Sequence, residues 1–510
     1  MALYAFWPYQ GRAVVLPEIA GADHKMQCVS YSPFAKDQSP LDPNFTIRPE
    51  RMDADLALLA KYFSCVRTYS MTGLERLPEF AQKYGLKVML GAWVSPNPKT
   101  TRLEIEQLIA TANRYPEVVK AVIVGNEALL RKDISGPRLA ELITEVKSRV
   151  KQPVTYADVW EFWLKHPQVA PVVDFITIHL LPYWEDQPTS GEGALTHVAA
   201  VHDEFERRFA PKDILIGEVG WPSEGRQRET ALPSRVEQAK FMRGFIAMAE
   251  HNGWEYNVIE AFDQPWKRNN EGAVGGYWGL FDADRHDKHV LAGAVSNMPD
   301  WQRWQILAAV IALVTLVVAG LPATREAALV VPVLAVLGGS CIALWQQQAA
   351  YANRDHWEWL WTLLLTAINL IAVWRAGLAL ASAASWRGRA FLRCERWAGK
   401  LLLLTGFIAA VLMLQLVFDA RYRQFPSEIL LLPALVFMRW PAAAPRRETV
   451  MLMVVIALGI PIQLWQETLQ NTQAIGWSLV SAALVYSLSR SLRTKRSAAI
   501  SSANTASVTV

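Results

Sequence analysis

Past Trp301 the chain changes in kind, and that change limits what it can fold into. Seven apolar runs follow one another at about 306–321, 327–345, 359–374, 401–418, 429–438, 450–465 and 474–488, with arginine in all but the last of the connections between them. A hydrocarbon bilayer core selects serial apolar segments of about 20 residues per helix. Before Trp301 the sequence mixes charges, aromatics and short apolar runs as a water-exposed domain does. The formal charge of +4 averages two unlike halves, and much of its excess lies beside the apolar runs, which argues for membrane topology and against nucleic-acid binding. The chain divides into a lead-in over 1–25, a domain over 26–300, a membrane domain of about seven helices over 301–490, and a disordered tail over 491–510.

Counting seven spans, alternate connections hold fourteen Lys and Arg against three, the rich set including Arg387, Arg389, Arg393, Arg396 and the carboxyl-terminal Arg490, Arg493, Lys495 and Arg496. The positive-inside rule then puts the tail in the cytoplasm and the domain before Trp301 on the opposite side. The runs hold almost no ionisable residue, Glu358 lying at an end, so the membrane half reads as an anchor. A glucan passage, or docking to a glucan synthase, is the alternative for it. The start, "MALYAFWPYQGRAVVLPEIAG", lacks the apolar core of a signal peptide, so a further hydrophobic segment upstream is expected.

In the first half, short β-branched or aromatic runs begin at 26, 64, 87, 121, 153, 174, 213 and 256. Between them lie stretches of helical spacing, such as Leu103, Ile105, Leu108 and Ile109, or Val236 to Ile246 ending at Asn252-Gly253. Eight strand–helix units in about 280 residues predict a (β/α)₈ TIM barrel in the α/β class, followed by an all-α polytopic membrane domain. A doubly wound sheet is the runner-up, but no GxGxxG or phosphate-binding loop stands at any strand end. Four cysteines, Cys28, Cys65, Cys341 and Cys394, show no metal or redox spacing. Cys28 and Cys65 lie in neighbouring strands and are expected to be buried free thiols, because strand side chains alternate faces.

Two strands end on a carboxylate: "AVIVGNEALL" runs into Glu127, preceded by Asn126, and "LIGEVGWPSEG" into Glu218. A barrel brings the carboxyl ends of all its strands to one face, so the fourth and seventh would set these two across one cleft. Two carboxylates about 5 Å apart suit double displacement at a sugar carbon, whereas wider separation admits a water and inverts configuration. An ion-paired barrel rim without catalysis is the plainer reading of the same pair.

The blocks "VSYSPF", "VRTYS", "LGAWVS", "VGNEAL", "GEVGWPS" and "IEAFDQPWK" stand in order at strand ends over residues 26 to 300. In them the chain resembles glycoside hydrolase family 17, the β-1,3-glucan-active barrels. The resemblance implies Glu127 as acid/base and Glu218 as nucleophile, with Asn126 on the sugar 2-hydroxyl. Tyr31, Tyr69 and Tyr183 lie just beyond strands, where they can border a subsite or simply pack. Trp93, Trp184, Trp221 and Trp266 offer flat faces for glucose rings. Glu260, Asp263 and Lys267 fall in the eighth block, where Gln264 replaces the family's usual acidic residue. His179 stands where the family often has asparagine, and is read as a strand-end hydrogen bonder.

The two-part layout is similar to bacterial membrane-bound β-(1,6)-glucan synthases. That implies an inner-membrane, multi-pass transglycosylase with its barrel in the periplasm, which cuts β-1,3-glucan and passes it to a glucose 6-hydroxyl. An endo-β-1,3-glucanase with the same residues, and a catalytically silent glucan-binding or export component, are the alternatives. No metal, nucleotide or other cofactor is implied.

Overall fold

The computed structural model describes residues 2–19, 25–42, 44–320, 324–379 and 386–506. Two compact units account for the chain. One comprises Val14–Glu224 and Ala231–Val295; the other comprises Met1–Ala13, Gly225–Thr230 and Ser296–Val510.

In the first unit eight parallel strands close into a barrel, β1 (Met26–Ser30), β2 (Phe63–Arg67), β3 (Lys87–Ala92), β4 (Val119–Asn126), β5 (Val154–Val159), β6 (Ile176–Leu180), β7 (Ile214–Val219) and β8 (Glu255–Val258), each paired with its sequence neighbour and β1 with β8. The expected barrel is therefore the fold. Parallel strands are buried on both faces, which is why β4 reads as a nearly unbroken apolar run with Ala121 to Asn126 all buried. The helices between strands carry their own boundary signals. Pro98–Arg114 begins where the Asn97 side chain accepts from Lys99 N and buries Ile105, Leu108 and Ala112 along one stripe. Arg235–Asn252 begins on Ser234, whose side chain accepts from Glu237 N, and stops at Gly253 in the left-handed conformation.

One layer of the barrel interior is small and apolar, formed by Cys28, Cys65, Met89, Ala121, Ile123, Ala157 and Leu215. Here the expectation of free thiols is corrected: Cys28 and Cys65 form a disulfide, with Cα atoms 4.4 Å apart. Alternation of faces keeps neighbours along one strand apart, but residues paired directly across two strands share a face, and Cys28 is the register partner of Cys65.

The second unit is helical, with helices Trp301–Ala319, Arg325–Ala352, His356–Ala379, Trp386–Phe418, Ser427–Arg439, Arg446–Glu467 and Thr472–Ala506 at the seven apolar runs. Among the described residues five stretches are long and apolar enough to cross a membrane: Trp301–Ala319, Arg325–Ala352, His356–Ala379, Trp397–Phe418 and Arg446–Glu467. The fifth run forms a helix of 13 residues. At 1.5 Å per residue it reaches about 20 Å, short of a ~30 Å hydrocarbon core. Its Ile429, Leu430, Leu432, Val436 and Phe437 are buried among the other helices. The last helix is long but, among the described residues, holds no stretch that is apolar enough over the length of a span. Large apolar side chains face outward across this unit, with Val317, Leu329, Leu458 and Leu479 each more than 60% exposed.

Candidate active site

Three of the strand pairings slip register near their carboxyl ends: β4 with β5 between Ile123 and Asn126, β6 with β7 between Ile178 and His179, and β7 with β8 between Ile216 and Val219. Such irregularities re-aim the side chains that follow them. The residues re-aimed are Asn126, Glu127, His179 and Glu218. At the end of β4 the chain turns through Gly125 at φ 89° and Glu127 at φ 52°, both left-handed. Glycine takes that conformation freely, and a Cβ at Gly125 would come within 3.2 Å of Val94 Cγ2. A glutamate in that region costs about 1 kcal/mol or more, a strain typical of functional strand ends.

Glu127 and Glu218 do face each other. One oxygen of each, with a nitrogen of His179, all lie within 4.8 Å of one another. That is less than the roughly 6.5 Å needed to seat a water between two carboxyl groups. Glu218 is almost fully buried, and its Oε1 accepts from Arg67 Nη1 at 3.1 Å, a pair with both side chains under 10% exposed. Arg67 Nη1 also donates to Gly217 O at 2.8 Å, and Nη2 donates to Asn126 Oδ1. One guanidinium thus ties the nucleophile candidate to the asparagine. His179 lies between the carboxylates, with Nδ1 2.9 Å from Glu127 Oε1 and Nε2 3.6 Å from Glu218 Oε1. Burial by itself would raise the Glu127 carboxyl, but the hydrogen bond and charge of His179, with Arg131 and Arg67, outweigh it and hold the group below the usual range. Glu127, His179 and Glu218 have the donor set of a cation site. The guanidinium already on Glu218 Oε1 opposes a cation at that oxygen.

The other expected residues divide by burial. Tyr69 is half-buried with the Arg67 guanidinium 4.7 Å above its ring; burial first, then the Glu218 charge, push its phenol well up. Glu260 is fully buried with Oε1 2.6 Å from Lys267 Nζ, and burial, opposed by Lys267, pushes it up to about 7. Asp263 is taken up by Lys288 Nζ and Gly279 N, both at 2.9 Å, and Tyr31 donates to Asp55, which pairs with Arg285. Tyr183 is buried edge-on against Trp184, Trp221 and Trp278. Trp221 is only 1% exposed and donates to Leu232 O, so it offers no face to a sugar and instead backs Tyr183. Trp93, Trp184 and Trp266 keep exposed surface. Gln264, in the place of an acidic residue, accepts from Trp266 Nε1 at 2.9 Å and fixes that ring.

Sequence reasoning missed Arg67 and gave His179 a lesser part. The available signal for Arg67 was a charge directly after the apolar Cys65-Val66 in a strand buried on both faces.

A family model described as the BtgE/BtgC glycoside hydrolase domain matches residues 28–279. A Schizosaccharomyces pombe protein named glucan 1,3-beta-glucosidase is 30% identical over 257 residues, 47% of this chain and 79% of its own length. The chain belongs to the BtgE/BtgC glycoside hydrolase family. It is an enzyme of the glycoside hydrolase type, in agreement with the resemblance drawn from the strand-end blocks. A Saccharomyces cerevisiae glucan 1,3-beta-glucosidase is 26% identical over 47% of this chain and 84% of its own, while a longer Aspergillus niger relative is matched over 42% of its length. Among solved structures, an active-site mutant of Rhizomucor miehei beta-1,3-glucanosyltransferase in complex with laminaritriose is 25% identical over 53% of this chain and 98% of its own, at TM-score 0.47. The membrane-like half lies outside the family match.

Proposed function

We propose that the protein is a membrane-anchored, retaining β-1,3-glucan-active enzyme that works as a transglycosylase, with Glu218 as nucleophile and Glu127 as acid/base. The observation that carries this is the approach of Glu127 and Glu218 oxygens to within 4.8 Å. At that spacing one carboxylate attacks the anomeric carbon directly, and the other protonates the departing oxygen and then deprotonates the acceptor. The β-1,3-glucan substrate is supported by the activities named for the yeast relatives. Asn126, held by Arg67, is the donor for the 2-hydroxyl, a contact that strengthens as charge develops on the ring.

Transfer to a 6-hydroxyl, giving β-1,6 linkages, is supported by the layout of a barrel followed by a unit with five helices of span character. A periplasmic barrel and cytoplasmic tail are supported by the charge count over the connections, which keeps its sign, eleven Lys and Arg against six, when only the five helices of span character are counted. The Cys28–Cys65 bond adds support, since structural disulfides persist in oxidising compartments.

The test is a pair of variants on laminari-oligosaccharides. Glu218→Gln and Glu127→Gln should each cut turnover by about 100-fold or more. With an activated aryl glucoside, which leaves without a proton, azide should rescue only Glu127→Gln and release the β-azide. Equal loss with no rescue in either refutes the roles. Products longer than the substrate with 1,6 linkages by NMR are expected; shorter 1,3-linked fragments alone would leave a hydrolase.

A further inference from the structure

We propose that Tyr156 and Asp158, on β5, are positioning residues that hold the turn carrying Glu127 and thereby aim its carboxyl group at the glycosidic oxygen. The inference rests on the reading of Glu127 as acid/base. The ladder between β4 and β5 ends where Glu127 N donates to Ala157 O at 2.8 Å. At Glu127 the chain leaves the strand through the left-handed region, and the N–H groups that come after it no longer follow the ladder. Side chains of β5 take two of them: Leu129 N donates to Tyr156 Oη at 2.9 Å, and Leu130 N to Asp158 Oδ2 at 3.3 Å. Tyr156 Oη in turn donates to that same Asp158 oxygen, and Asp158 Oδ1 accepts from Val159 N at 2.8 Å. Three consecutive residues of one strand thus bind the backbone of residues 127, 129 and 130.

Both side chains are themselves locked, as a hold on a reacting group requires. Tyr156 and Asp158 are buried, and the Tyr156 ring tilts against Trp163 with centroids 5.7 Å apart. Trp163 is fixed in its turn, its Nε1 donating to Thr177 O on β6 at 2.8 Å. The bare Gly125 lets the Tyr156 ring lie close to β4, since a Cβ there would stand 3.4 Å from Tyr156 Cε2. Burial, with the Asp158 charge adding, pushes the phenol well up, so it keeps the proton that it donates. The turn closes its own carbonyls, Glu127 O accepting from Arg131 N at 2.9 Å and Ala128 O from Asp133 N at 2.8 Å. Its N–H groups at 127, 129 and 130 are held from β5.

A left-handed residue other than glycine persists only where its surroundings over-determine it. Relaxation of Glu127 from φ 52° toward the extended region would swing its carboxyl group away from His179 Nδ1, now at 2.9 Å, and from Glu218. Leu129 is buried, so without the phenol its N–H has no partner, and reopening the turn to reach one is favoured. A displacement of about 1 Å at a reacting group costs on the order of 100-fold in rate. That loss falls on the two steps Glu127 performs, protonation of the departing oxygen and deprotonation of the acceptor. Attack by Glu218, which is held by Arg67 from β2, is left as it is.

The experiment compares wild type, Tyr156→Phe, Glu127→Gln and the double variant as full-length protein in detergent, measuring kcat and KM on laminari-oligosaccharides and on an activated aryl glucoside with azide. The second substrate needs neither the proton nor the base, so it reports on Glu218 and on folding alone. Tyr156→Phe keeps the ring and removes only the hydroxyl. On oligosaccharides it should lower kcat by at least ~10-fold with KM little changed, while the rate on the aryl glucoside with azide stays close to wild type. In the Glu127→Gln background the same change should cost almost nothing further, because the group it positions is gone. Equal losses on the two substrates, or an undiminished loss in the double variant, overturn the inference. If azide also fails to rescue Glu127→Gln, the acid/base reading has failed with it; rescue of Glu127→Gln beside equal losses for Tyr156→Phe sinks the role of Tyr156 and Asp158 alone. Should Tyr156→Phe misfold, Asp158→Asn is read by the same ratio, since it sets an amide N–H where an acceptor oxygen stood. A loss confined to oligosaccharides is expected of it, and an equal loss on both substrates overturns the proposal.

Discussion

Reducing the Cys28–Cys65 bond perturbs the barrel without touching a reacting group, and its magnitude follows from the connectivity. The bond joins residues 37 apart in sequence. A cross-link closing a loop of that size removes about 13 cal/mol/K of chain entropy from the unfolded state, or about 4 kcal/mol at 25 °C. The barrel unit has about 280 residues, and at about 2 cal/mol/K per residue its unfolding entropy is about 0.6 kcal/mol/K. The quotient is a fall of about 6 to 7 °C in the melting midpoint. Both sulfurs lie in the small apolar layer of the barrel interior, so Cys28→Ala with Cys65→Ala leaves a modest void and should fall at least as far. The assay is calorimetry of the full-length protein in detergent, oxidised and then reduced with a phosphine, with Ellman titration counting the thiols released. Four reactive thiols in the untreated, unfolded protein would show that the bond does not form. Two thiols released on reduction with an unchanged midpoint would refute the entropic argument.

Arg67→Met leaves Glu218 buried without its cation, which should destabilise the barrel by about 3–5 kcal/mol and lower kcat/KM by at least ~100-fold; calorimetry and initial rates decide it, and near-normal activity would remove Arg67 from the site. Trp266→Ala should lower the ratio of transferred to hydrolysed product more than total cleavage, since a partly exposed ring fixed by Gln264 can hold an acceptor chain. Trp221→Ala should instead act through packing, costing about 3–5 kcal/mol, and a selective loss of transfer would contradict its burial. Asp158, at about 6 in the folded barrel against 3.8 ordinarily, binds more protons folded than unfolded between those values. Its contribution is thus fully present below pH 4 and lost as pH rises through 6, by about 3 kcal/mol, and Asp158→Asn should flatten stability over that window in denaturant titrations.

How much of this was legible beforehand depended on the range of the interaction concerned. Eight apolar runs with helical spacing between them dictate strand and helix locally and a parallel sheet covered on both faces; a doubly wound sheet meets that need as well, and eight units in about 280 residues favour the closed barrel. Glu127 and Glu218 were placed opposite each other for the same reason: parallel strands bring all their carboxyl ends to one rim. The seven apolar runs announce helices by composition alone, while their geometry decided that one is a 13-residue helix too short to span. Contacts across strands were not legible, because they depend on register, which is fixed only when the barrel closes. Register put Cys28 opposite Cys65 on one face, where alternation along a single strand had pointed to two free thiols. The slips beside Asn126, His179 and Glu218 turned an ordinary strand-end histidine toward two carboxylates, and closure brought Arg67 from β2 to Glu218 on β7. Trp221 and Trp266 look alike as letters, yet one packs under Tyr183 and the other keeps exposed surface. Local pattern fixes which way each segment runs, whereas the partner of a buried charge or ring is set by segments 50 to 150 residues away.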